Sequence, residues 1–386
     1  MLNMSAPAHR GRSPFLKGGS MSARLSSKTL VGILVAALVY VAPAAAQDSS
    51  VTDLGDLGGG ASVATSINAR GQVAGASLRA SGTEGGFIWQ DGVMTDLGTL
   101  GGTTTVAYAI NNRGQVVGGS YRKGDSSVGA FIWHKGVMTD LGGDTSIALG
   151  INEGGQVVGE MVAADRMSAS AFLWEKGVMT ELPGLGGSQA AAVGINARGQ
   201  IVGVAQTPGG ELRAVMWEEG AITDLGSLGG GYSVAYSVNA RGMACGFSNL
   251  ATGESRAALY ADGEVVDLGT LGGSFSQCLL GANSRQFVGA STIEGDAEYH
   301  AFVIVGGVMT DLNPQVPPDS GWRLNYAYGI NERGQIVGGG HRDGVVPIRA
   351  FLLSRNRPHD EREQGDGEQG DRGQDGGGQH GSGQRR

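Results

Sequence analysis

The sequence predicts an all-β chain, a seven-bladed β-propeller with four-stranded blades and a ring closed by the N-terminal strand completing the last blade. Three observations lead there. A motif built on Asp-Leu-Gly recurs seven times, with its acid at Asp53, Asp96, Asp140, Glu181, Asp224, Asp267 and Asp311, spaced 41 to 44 residues apart. Each interval divides into four short β-prone runs separated by turn residues, with no helical period. The runs are apolar on both faces, as in Phe131-Ile132-Trp133 and Val116-Val117. A sheet wetted on one side would alternate, so both faces need cover, and stacking in a ring supplies it. A β-helix needs a shorter repeat, and a sandwich needs none.

One unit justifies the elements in turn. Val93 to Leu97 is short and β-prone, and Leu100-Gly101-Gly102 breaks it. Thr104 to Ile110 gives a second strand, Gln115 to Ser120 a third and Gly129 to Trp133 a fourth. Between the first two of these long runs stands Asn-x-Arg-Gly, a hairpin tip. Its Asn can accept from backbone amides two residues on, and its Gly can take the left-handed conformation. The Asn recurs at Asn68, Asn111, Asn152, Asn196, Asn239, Asn283 and Asn331. The Asn and the repeated acids are therefore assigned structural roles. The frame is shifted: the first copy starts at the Thr-Asp-Leu-Gly strand, and the last ends at Ala350-Phe351-Leu352-Leu353 without one. The N-terminal strand is then free to complete the last blade and remove a free sheet edge.

The ends of the chain differ in kind. Residues 1–46 read as an N-terminal extension and signal peptide: Arg24 and Lys28 precede an apolar run from Leu30 to Val41, and Pro43-Ala44-Ala45-Ala46 offers a cleavage site after Ala46. That run is short for a membrane span. Met21 offers an alternative start to Met1. Residues 47–354 carry the repeats. Residues 355–386 are Gly, Gln, Asp, Glu and Arg with no large apolar residue, a composition that predicts disorder. The expected address is the periplasm or the exterior, with no stable span after signal removal.

Charge narrows the partners. The chain has 28 Lys and Arg against 36 Asp and Glu, a net charge of −8. Nucleic acid is a poor partner, because phosphate contacts need clustered cations. The two cysteines, Cys245 and Cys278, align with Val positions of other units and read either as small buried residues or as a pair in an oxidising compartment.

The combination Asp-Leu-Gly-x-Leu-Gly-Gly, Ile-Asn-x-x-Gly-Gln-Val-Val-Gly and Ala-Phe-x-Trp resembles the bacterial HAF-repeat family. The name triplet survives as His300-Ala301-Phe302, with Gly129-Ala130-Phe131, Ser170-Ala171-Phe172 and Arg349-Ala350-Phe351 as variants. The resemblance covers nearly all of residues 51–353. It implies export and a repetitive β fold, and no established activity.

Candidate sites are few. A ring of acids would suit Ca²⁺, but each acid precedes a turn that uses a carboxylate, and no calcium loop is present. No metal or cofactor is expected. Trp89, Trp133, Trp174 and Trp217 give way to Tyr260, Ile304 and Leu353 in later units, the behaviour of a packing position. The hairpin-tip arginines Arg70, Arg113, Arg198, Arg241, Arg285 and Arg333 have no structural requirement and are the leading binding candidates; Gly154 interrupts the set. If they share a face, they offer bidentate bonds to a carboxylate or an anionic glycan. The irregular stretch Asn313 to Tyr326 adds Trp322 and Arg323 as binding candidates. There is no catalytic set: His134, His300 and His341 lie in different units without metal-ligand spacing. The expected function is a monomeric, non-enzymatic binding scaffold for a glycan or protein ligand. The alternatives are a secreted polysaccharide hydrolase or lyase, and a structural envelope or matrix protein.

Overall fold

The computed structural model describes residues 49–163 and 168–355, and apart from four single 3-10 turns their regular elements are strands. The expected signal peptide, its cleavage site and the polar tail lie outside the described residues. Among the described residues no helix is long and apolar enough to cross a membrane.

Four-stranded antiparallel sheets form from consecutive strands. The first runs Gly58–Ile67, Val73–Arg79, Glu84–Gln90 and Val93–Asp96, and the second Gly101–Ile110, Val116–Arg122, Val128–His134 and Val137–Asp140. Inner strands of successive units touch one another in a closed circle, from Gly58–Ile67 round to Trp322–Ile330 and back. The architecture is a β-propeller.

The sheet count departs from the seven separate blades expected. Five sheets of four strands stand alone, while Ala190–Ile195 through Glu264–Asp267 form one sheet of eight. The reason is local. Leu212 and Tyr232 meet as a single parallel pair, which joins Leu212–Glu218 to Gly229–Val238. The equivalent approach one unit earlier, Ala169 to Gln189, is only an isolated bridge.

Closure is direct. Ser49–Asp53 pairs antiparallel with Val345–Arg355, Thr52 facing Leu352. The order of that sheet is Ser49–Asp53, Val345–Arg355, Ile336–Arg342, Trp322–Ile330. Leu54 follows the strand into the core, 3% exposed, beside Phe87, Ala350 and Leu352.

The core lies between sheets. Ala74 and Leu97 of the first sheet pack with Ala107, Ile110, Val116 and Phe131 of the second. Phe87, Phe131, Phe172, Phe302 and Phe351 are fully buried at the same repeat position. Each needs a glycine opposite it: a methyl on Gly75 would stand 2.7 Å from the Phe87 ring, and one on Gly118 would stand 2.9 Å from Phe131. Such a substitution displaces the ring from its only packed position.

The asparagines join the ring from within. Asn68 donates its Nδ2 to the backbone carbonyl of Asn111 in the next unit, at 2.9 Å. Asn111 does the same to Asn152, Asn152 to Asn196, Asn196 to Asn239, Asn283 to Asn331, and Asn331 back to Asn68, all at 3.0 to 3.1 Å. The same Nδ2 reaches a glutamine four residues on, as in Asn111 to Gln115 at 2.8 Å. Asn Oδ1 meanwhile accepts from the tip amides, holding Arg113 N at 3.0 Å and Gln115 N at 3.1 Å. Gly114, at φ 75°, turns the tip.

One link is missing. Asn239 Nδ2 is buried without a partner, and Met243 occupies the place of the glutamine. The same two units carry the Cys245–Cys278 disulfide, with Cα atoms 5.8 Å apart. Cys245 pairs with Ser237 as Val117 pairs with Ala109, but Cys278 pairs with Gly289 as Ala107, not Val106, pairs with Gly118. A one-residue change of register turns a strand side chain to the other face. The true register aims Cys278 back at the preceding unit, where Cys245 waits, and so turns two small buried residues into an inter-blade staple.

Candidate functional site

The two ends of the inner strands carry different chemistry. At the end opposite the hairpin tips, arginines are consumed as clamps. Arg79 makes a bidentate pair with Asp96, Nε–Oδ2 2.6 Å and Nη2–Oδ1 2.9 Å, and donates to the carbonyl of Thr103 in the next sheet. Arg122 repeats this with Asp140 and with the carbonyls of Gly143 and Asp144. Gly85 and Gly129 make room: a methyl on either would meet the guanidinium at 2.8 to 2.9 Å. In two units a longer polar side chain replaces that glycine and itself reaches the repeated acid, while Arg213 and Arg256 at the same position turn to Glu211 and Glu254 instead. His300 Nδ1 lies 2.7 Å from Asp311 Oδ2, and Arg349 bonds Asp53, Asp56 and the carbonyl of Gly60.

The repeated acids also close their own turns. Asp53, Asp96, Asp140, Asp224 and Asp267 accept from the glycine amide two residues on, and Asp311 from Asn313, at 2.8 to 2.9 Å. Glu181 accepts from Ser170 instead. Among the described residues no cluster of three or more His, Cys, Asp or Glu could hold a metal ion.

These clamps have a pH signature. The Arg79 hydrogen bond, helped by the Gly98 amide, holds the Asp96 carboxyl below its ordinary 3.8, and Arg122 with the Gly142 amide does the same for Asp140. A carboxyl lowered in the fold contributes stability above its unfolded value and loses it as pH falls through the folded one. The unfolding midpoint is therefore expected to drop as pH falls below about 4. The double variant Arg79→Met, Arg122→Met should lose no more than about 1 kcal/mol per pair at pH 7, because both pairs are partly solvated. Its acid dependence should be flatter than that of the parent, which urea titrations at pH 7 and pH 3 would read; parallel pH profiles would exclude the clamps as the cause.

At the other end stand the hairpin tips. The amides of Arg70, Arg113, Arg198, Arg241, Arg285 and Arg333 all donate to the Asn Oδ1 two residues back, at 2.9 to 3.0 Å. All six side chains are exposed. Arg198 bonds the carbonyl of Ala240 on the next tip. Among the described residues the guanidinium groups of Arg70, Arg113, Arg241, Arg285 and Arg333 have no hydrogen bond or ion pair. Two acids share the ring: Glu153 accepts from Asn112 N, and Glu332 from Ser284. The asparagine links set neighbouring tips side by side.

Arg323 and Trp322 do not join them. They start the strand whose far end is Asn331, about 25 Å away at 3.3 Å per residue. Trp322 is 7% exposed and packs edge-on to Phe351, ring centres 6.2 Å apart, so this binding candidate is a core residue. Its stretch of chain folds as two 3-10 turns, Asn313–Gln315 and Pro318–Ser320, and Leu312 and Val316 beside the first of them pack into the core of the closing sheet. Arg323 is exposed and stands 3.9 Å from Glu298.

A cleft of about 330 Å³ opens on the tip face between the first two sheets. Arg70, Gln72, Gln90, Arg113 and the turn Trp133-His134-Lys135 line it. Ile88, Val93 and Thr95 complete the lining. Sequence reasoning found the two arginines and missed the rest, because the lining is spread over two repeats and only the fold brings it together.

Comparison with known proteins adds the fold and no family. No family model matches the chain, and no curated protein does. Among solved structures, the β-propeller domain of the Trilobed protease from Pyrococcus furiosus aligns with a TM-score of 0.52 at 10% identity, over 76% of this chain and 95% of that one. That domain is described as having an open velcro topology; here Ser49–Asp53 pairs with Val345–Arg355. A Mycobacterium tuberculosis puromycin-hydrolyzing peptidase aligns with a TM-score of 0.45 at 10% identity, over 78% of this chain and 54% of that one. The Trypanosoma rangeli sialidase gives 0.40 at 10% identity, over 79% and 58%.

Proposed function

We propose that this chain is an exported binding scaffold of the HAF-repeat type, without catalytic activity, that presents its hairpin tips to an anionic glycan. The eight-stranded sheet is read as two blades sharing one bridge, which makes seven blades for seven repeats. The observation that carries the reading is the contrast between the two ends. Arginines at the clamp end are spent on carboxylates and carbonyls, whereas five of the six tip arginines, among the described residues, offer free guanidinium groups from rigidly held backbones. Guanidinium forks on a fixed frame match carboxylates with little ordering cost. The inter-blade disulfide supports export, because such bonds persist in oxidising compartments.

The acids near Asn313 do not favour the hydrolase or lyase alternative. Asp311 is bound to His300 and to Asn313, so it serves the turn and the clamp. A thermal-shift series on the full chain tests the scaffold reading with polygalacturonate, alginate, cell-wall fragments and neutral dextran. A ligand of the folded state raises its stability by about 2.7 kcal/mol at a hundred times its dissociation constant. The expected result is a saturable rise with an acidic polysaccharide and none with dextran. No rise with any glycan would remove glycan binding as the role of this ring.

A further inference from the structure

The seven joints between units are built alike but are not chemically equal. Each offers two neighbouring tips, an aromatic or aliphatic position and the turn that follows it. Next to the Arg198 and Arg241 tips the turn is Ala261-Asp262, and next to Arg333 and Arg70 it is Gln90-Asp91. The joints that include Gly154 have one tip arginine, with Glu175 or Glu218-Glu219 in the turn. Around Arg285 and Arg333 the aromatic is replaced by Leu353, and around Arg241 and Arg285 by Ile304. Only between Arg70 and Arg113 do two tip arginines, an aromatic and a basic turn coincide.

Resting on the scaffold reading above, we infer that this cleft is a specific subsite for a carboxylate-bearing sugar residue. Its lining holds three permanent cations, Arg70, Arg113 and Lys135, and no carboxylate. Trp133 is half-buried here, as is Trp174, while the equivalent Trp89 and Trp217 are 8% and 1% exposed, so its indole can meet a sugar's C–H face. The amides are pre-arranged. Asn68 donates to Gln72 Oε1 at 2.8 Å, Gln72 donates to Gln90 Oε1 at 2.8 Å, and Gln90 donates to Asp91 Oδ2 at 3.1 Å. Each glutamine amide nitrogen has a second hydrogen left for a ligand hydroxyl. Gly114 lets the neighbouring tip close down, since a methyl there would stand 3.3 Å from Gln72 Oε1. The volume is at the small end for a ligand site, suited to one or two sugar rings rather than a long groove. One aromatic face does not make the repeated stacking platform that single-stranded nucleic acid requires.

Calorimetric titration of the full chain with trigalacturonate, its methyl ester and a short oligothymidylate decides the matter. Arg70→Gln with Arg113→Gln should weaken trigalacturonate by about tenfold or more, the scale of charge-assisted hydrogen bonds. The methyl ester, which has the shape without the charge, should bind the parent at least about tenfold more weakly. Arg241→Gln with Arg333→Gln, tips of the same ring outside this cleft, should weaken trigalacturonate distinctly less, by about threefold or under. Trp133→Phe should abolish any ligand-induced change in tryptophan fluorescence while circular dichroism stays unchanged. Equal loss in both arginine pairs, or tighter binding of the oligothymidylate, would overturn the subsite and leave the scaffold standing. Failure of the parent to bind any acidic glycan would remove both.

Discussion

Replacing Cys245 and Cys278 together with alanine is expected to cost about 4 kcal/mol of stability, the effect of opening a loop of this size. The separation is 33 residues. The bond also spans the one joint where, among the described residues, the asparagine chain is interrupted, so no asparagine link holds those two units at the tip end. Denaturant titration of parent and variant, each with and without dithiothreitol, would show it. The parent in reductant should match the variant, and the variant should ignore reductant. A parent whose midpoint is unchanged by reduction, with loss of the bond verified by thiol titration, would show that packing alone secures the joint.

Deleting residues 51–58 is expected to cost more. Leu54 leaves the core, a loss of about 2–5 kcal/mol for a buried leucine side chain. Arg349, 15% exposed on its side chain, loses both Asp53 and Asp56. A largely buried cation stripped of its partners costs a further 3–5 kcal/mol or so. The edge of Val345–Arg355 would also be bared, a template for association with another chain. The deletion variant should melt far below the parent and aggregate; unfolding at the parent's midpoint would contradict closure by this strand. Arg349→Met in the intact chain separates the two contributions.

Much of this was legible in the sequence because the repeat amplifies it. The Asn-x-Arg-Gly tip, the turn-closing acid and the N-terminal closing strand each follow from turn chemistry or from the frame of the repeat. What the repeat does not state is what one unit says to the next. The Asn68-to-Asn111 bond crosses 43 residues, and the clamp exchange between Arg79 and His300 uses two different strands for one carboxylate position. The fusion of eight strands depends on a single pair, Leu212 with Tyr232, outside the motifs. Trp322 sits in an irregular stretch where apolar periodicity gives no direction, so its burial was not readable. The disulfide was hidden by a bulge that shifts Cys278 by one place relative to a gap-free alignment.

The central claim is that the tip face, not the clamp end, receives the ligand. Hydrogen–deuterium exchange of the full chain, with and without saturating trigalacturonate, reads it residue by residue. The account predicts slowed exchange confined to the tips at 68–72 and 111–115 and to the turn at 133–135. Slowing centred on 298–323 instead, or none at saturation, would contradict it.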